Sequence, residues 1–150
     1  GPYFWLNEFV TLLQITVKEI YMATWNELVG YLARNYSCNI NGDTVTLPYS
    51  FSDGRTQNVF VTLGGNNEWG EWAHVASAIA DTSQIGKLEA ICREIHFKIC
   101  GGIVIDGNFI VLRATLPLLN LDDNEIDHSI ALVVNIAEEM EKKYIGTDNF

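Results

Sequence analysis

The chain has 150 residues, is 48% hydrophobic, and carries nine Lys and Arg against 19 Asp and Glu, a formal net charge of -10. That length fits one domain, or one domain with an appended arm, and supplies enough apolar side chains for a core. So few and so scattered cations argue against binding a phosphate backbone or an anionic membrane surface, so neither nucleic acid nor membrane is an expected partner.

Cys38, Cys92 and Cys100 are an odd, sparse set, which argues against a secreted disulfide framework and for a reducing, cytoplasmic setting. No apolar run reaches the ~18 residues of a membrane span. Gly1-Pro2 has no basic stretch behind it and does not read as a signal peptide. It reads as the scar of a cleaved tag, with Met22 as the expected native start.

Residues 1–21 form an apolar extension in which Tyr3, Phe4, Trp5, Leu6 and Phe9 lie close together. Such surface must be covered. Phe9, Leu12, Leu13 and Val17 fit a helical stripe, while Phe9, Leu13, Ile15 and Val17 also suit a strand, so the period does not decide. Two roles are open: a leading helix packed on the domain, or a segment, natural or fused, lying where a partner would dock.

The domain proper is expected over 22–150. Apolar Trp25, Leu28, Val29, Leu32 and Tyr36 predict an amphipathic helix over 25–36, with Thr24 as N-cap and Glu27 completing a capping box. After a turn at Asn41-Gly42-Asp43, residues 44–50, 57–63 and 71–79 predict three strands joined by Ser52-Asp53-Gly54 and a Gly-Asn loop. Connections that short make the meander antiparallel. Over 83–97 the period returns to 3.6, with Ile85, Leu88, Ile91, Cys92 and Ile95 on one side and Thr82 or Ser83 as cap. Asp106-Gly107 predicts a hairpin between 102–106 and 108–116, ended by Pro117. A closing helix is expected from Asp122-Asp123 to about Lys143, with Gly146 as its stop. Its stripe is Ile126, Ile130, Val133, Val134, Ala137 and Met140, and Leu132 and Ile136 widen the apolar arc beyond one core contact. The order is helix, three-stranded meander, helix, hairpin, helix, an α+β class.

That order resembles type III secretion chaperones and their YbjN-like relatives. VFVTLGGNNEWGEWAHVASAIAD looks like the family's strand pair and the small-residue segment before its second helix. IVIDGNFIVLRATLPLLNLDDNEIDHSIALVVNIAEEMEKKY looks like its hairpin, its Leu-Pro-Leu then Asp link and its closing helix. The resemblance implies a non-enzymatic domain, commonly a homodimer, whose secretion members hold an extended partner segment along apolar patches. Fold alone does not carry that role.

No catalytic residue, cofactor site or metal site is expected. Cys92, His96 and Cys100 are four apart, but zinc needs a fourth ligand and paired cysteines; two buried thiols and a helix-end His account for them. Asp122, Asp123, Glu125, Asp127, Glu138, Glu139 and Glu141 read as solvent-facing helix carboxylates, whereas acid–base catalysis needs enclosed ones. Gly64-Gly65 and Gly101-Gly102 lack the Lys-Ser/Thr of a phosphate loop. The expected partner-binding residues are Trp69, Trp72, Ile85, Leu88, Leu132 and Ile136. Trp69 and Trp72 serve equally well as interface anchors or as a cap on the sheet's open end. Two alternatives stand beside protein binding: a small-molecule or catalytic site near Trp69, Trp72 and His74, and a structural subunit of a larger defence or secretion assembly.

Overall fold

A computed structural model describes residues 22–68, 70–98 and 101–150 of the chain. Helix α1 (Trp25–Asn35) precedes strands β1 (Asn39–Asn41), β2 (Thr44–Ser50), β3 (Thr56–Asn67) and β4 (Gly70–Asp81). A 3-10 segment (Thr82–Lys87) and α2 (Leu88–Ile95) follow, then β5 (Gly102–Asp106), β6 (Phe109–Pro117) and α3 (Asp123–Tyr144). The strands form one antiparallel sheet in the order β1-β2-β3-β4-β6-β5. The protein is α+β. The expected apolar extension, together with Trp69 and Cys100, lies outside the described residues.

Local chemistry accounts for the helix ends. Thr24 Oγ1 accepts from the Glu27 amide at 3.3 Å, and Glu27 accepts from the Ala23 amide, one residue earlier than a capping box requires. The Trp25 amide donates to Glu71 at 2.8 Å, which ties the start of α1 to β4. Asp122 and Glu125 close a full capping box on α3. Gly146, at φ 85°, follows its last turn, and the Gly146 amide donates to the Glu141 carbonyl.

Three expectations need correction. Strand β1 was not foreseen; Asn39-Ile40-Asn41 is short and exposed throughout, so it carries no alternation to detect. The second helix does not begin at residue 83. Asp81, not Thr82 or Ser83, accepts from the Ser83 amide, and 82–87 winds as 3-10. Three residues per turn carry Ile85 off the α2 stripe, leaving it 47% exposed. Cys92, expected as a buried thiol, is exposed; Ile91 and Ile95 take the buried line.

The helices pack on one face of the sheet in two core clusters. Trp25, Leu28 and Leu32 of α1 meet Val45, Leu47, Val59 and Val61, with Ile126 and Ile130 of α3 closing over them. Ile91 and Ile95 of α2 meet Ile79, Ile110 and Leu112 under Ala137 and Met140 of α3. A bulge between Ala78 and Ala80 turns Ile79 and Ala80 into that second cluster together. Among the described residues no helix is long and apolar enough to cross a membrane.

One glycine is sterically required. A Cβ on Gly101 would stand 1.8 Å from the Arg113 carbonyl oxygen, so alanine there must push the β5 strand off β6. Gly101→Ala is expected to cost about 1–3 kcal/mol by overpacking. Gly86→Ala, whose Cβ meets nothing within 4 Å, should be neutral. Urea unfolding of the two variants measures the contrast.

Candidate functional site

The mismatch between the arms of the last hairpin opens a groove. Strand β5 has five residues and β6 has nine; their ladder ends with Gly102 opposite Arg113, while β6 runs on to Pro117. On its other side β6 stays paired with β4 as far as Pro117 opposite Trp72. Among the described residues, therefore, no strand pairs with 114–117 on the side away from β4.

Helix α3 forms the facing wall. A cleft of about 450 Å³ lies between Ala114, Thr115 and Leu116 of β6 and Ser129, Leu132 and Val133 of α3, with Gly101 and Gly102 at its end. It continues past Leu116 and Ser129 into a second cleft of about 430 Å³ walled by Leu119, Leu121 and His128. A third, of about 310 Å³, opens across α3 along His128, Leu132 and Ile136. Leu132 is 39% exposed and Leu119 62% exposed, so the groove presents apolar surface directly to its mouth. Leu119 stands out because its neighbours Leu118 and Leu121 are buried, and Asn120 takes a positive φ of 62° between them.

The expected partner-binding residues do not converge on one surface. Leu132 and Ile136 line the same groove, although Ile136 is 8% exposed and belongs mostly to the second core cluster. Leu88 is half-buried against that cluster, and Ile85 stands exposed on the 3-10 segment. Trp72 is half-buried on β4 with its side chain on the opposite face of the sheet, the face that also carries Phe60 and His74. His74 Nδ1 lies 2.8 Å from Thr115 Oγ1, and its ring fills the space above Gly64. Burial and nearby Arg113 hold its pKa below the ordinary value, against an opposing pull from Asp106. His74 and Trp72 line none of the three clefts.

A second cluster overturns the expectation of solvent-facing carboxylates at the end of α3. Glu138 is 6% exposed and Glu141 is fully buried. The β2–β3 turn folds Arg55 over them: its Nε pairs with Glu138 Oε1, and its Nη2 lies 3.4 Å from Glu141 Oε1. Arg55 also donates to the carbonyls of Gly146 and Thr147. The Asp148 carboxylate accepts from the Thr56 amide, and the Asn149 amide donates to Glu141, so the C-terminal residues close the site. Burial, with Glu138 and Asp148 adding to it against Arg55 and the Asn149 amide, pushes the Glu141 carboxyl up to about 7.

Asp127 plays a structural part. It accepts from the hydroxyls of both Tyr31 and Tyr36, at 2.8 and 2.5 Å, and so clasps α1 to α3. Burial first, and then that hydrogen bond, raise both tyrosine pKa values.

No family model matches this chain, and no curated protein matches it at a significant level.

Proposed function

We propose that this chain is a non-enzymatic protein-binding domain that takes an extended segment of a partner protein into the groove between α3 and β6. The observation that carries this is the edge of β6 at 114–117, which among the described residues pairs with no strand on the side away from β4 and lies beside apolar surface from Leu116, Leu119 and Leu132. Unpaired strand groups and a flanking apolar wall together suit β-augmentation: the backbone ladder supplies affinity, and alternate side chains fill the wall's hollows. The occupant this chemistry selects is a short extended segment with apolar residues at every second position. A chain charge of -10 favours one free of acidic residues.

This agrees with the secretion-chaperone resemblance, in which an extended partner segment lies on apolar patches. The homodimer implied by that resemblance is part of the proposal, with exposed Ile105 and Phe109 on the β5–β6 hairpin as apolar surface remote from the groove. Catalysis near Trp72 and His74 has less support, because both lie on the sheet face away from the clefts.

Selection of peptides displayed on phage against the full chain tests the reading. Peptides with alternating apolar residues should emerge, and Leu132→Glu should weaken their binding at least tenfold while circular dichroism stays unchanged. Leu132 is partly exposed on α3, so the substitution spares the core. Selected peptides that bind Leu132→Glu as well as the parent would contradict the groove. Light scattering separates a further outcome: a dimer that Leu132→Glu dissolves would make a second copy of the chain the occupant instead.

A further inference from the structure

We propose that Glu138, Glu141 and Asp148 form a binding site for a hard divalent cation of the calcium type, where the end of α3 meets the C-terminal residues. This site is independent of the groove and of its proposed partner.

Three observations carry it. Each of the three residues offers a carboxylate oxygen, and these oxygens lie within 4.8 Å of one another. Ligands of one calcium ion, each 2.3–2.6 Å from the metal, can be at most about 5 Å apart, so the spread fits a common ion. Second, Glu138 is only 6% exposed, and its buried Oε2 has no hydrogen-bond partner among the described residues. A buried carboxylate oxygen left without a partner is a standing cost to the fold, larger when it is charged, and a cation ligand removes that cost. Third, the charges match. Three carboxylates against the one guanidinium of Arg55 leave a double negative charge once all are ionised, which one divalent ion neutralises.

The donor type selects the ion class. The three side chains offer only oxygen, and the carbonyls of Gly146 and Thr147 lie beside them on Arg55. Oxygen donors without thiol or imidazole suit hard cations and not zinc or copper. Cation binding would tie Glu138 and Glu141 on α3 to Asp148, and through Asp148 to the first residue of β3, which already donates to it. The charged groups facing the site are Arg55 from the β2–β3 turn and, further out on the same elements, the Asp53–Lys142 pair.

The test is calorimetric titration of the chelator-treated full chain with calcium chloride at pH 8, with thermal unfolding in parallel. One saturable event per chain is expected, with a dissociation constant on the order of 0.1–1 mM and a raised Tm. Sodium chloride at equal ionic strength should not reproduce it. Glu138→Gln should weaken binding at least tenfold. Asp148→Asn, at an exposed position where folding is not at stake, should weaken it as well. No saturable binding up to about 10 mM, beyond the weakest ordinary calcium modules, overturns the site. So does calcium binding that survives both substitutions unchanged.

Discussion

Replacing Arg55 by methionine is expected to cost the fold about 3–5 kcal/mol at pH 8, because it leaves Glu138 and Glu141 buried without their cation. The Arg55 side chain is only 14% exposed, so little of the loss is offset by water. Its hydrogen bonds to the Gly146 and Thr147 carbonyls go too, which should loosen the residues after α3. The cost should shrink at pH 5.5, where Glu141 is protonated in any case. Urea unfolding at the two pH values measures both numbers. A loss below ~1 kcal/mol that is the same at both would mean that the pair is solvated and that its charges do not depend on Arg55.

The second large effect is in the pH profile of the unaltered protein. Folded Glu141 keeps its proton up to about 7, whereas the ordinary value for a glutamate is 4.5. Between those values the folded state binds more protons than the unfolded chain, so stability falls as pH rises through that window and levels off above it. Glu141→Gln should flatten this slope. It should also be the more stable protein at pH 8, by roughly 1–2 kcal/mol. That is below the full value of a shift at ~1.4 kcal/mol per unit, because glutamine gives up the attraction to Arg55. Thermal unfolding from pH 4.5 to 8.5 reads the difference. Parallel profiles for the two proteins would show that Glu141 is not the titrating group.

The fold was largely legible in the chain because its strongest signals are local. Thr24 with Glu27, and Asp122 with Glu125, mark helix starts through hydrogen bonds made within one turn. The Asp106-Gly107 pair marked the hairpin, but Asp106 ends β5 and the two-residue loop is Gly107-Asn108, so Gly107, at φ 55°, takes the first central position and not the second that an Asp-Gly turn gives it. What stayed hidden depends on distant neighbours. Glu138 and Glu141 adjoin Ala137 and Met140 on α3 and look like its wet side. Arg55, more than 80 positions away in sequence, covers them together with the residues that follow α3. Ile85 was misplaced because a 3-10 turn and an α-turn share much of their apolar spacing over so short a segment, and Cys92 because it stands next to the Ile91–Ile95 line that α2 buries.

The groove stands between these cases. The expected arms 102–106 and 108–116 already differed in length, so an overhang on the second strand was implicit in the sequence. Which helix would wall it was not, because that depends on how α3 crosses the sheet. Leu132 was legible as excess apolar arc on that helix, and Leu119 was not, since it belongs to a link whose other leucines are buried.

Amide hydrogen exchange with and without a selected peptide tests the partner-binding account most directly. Protection should appear at those amides of 114–116 that point away from β4, and along α3 near Ser129 and Leu132. Unchanged exchange there, with protection instead on the sheet face of Phe60, Trp72 and His74, would contradict it.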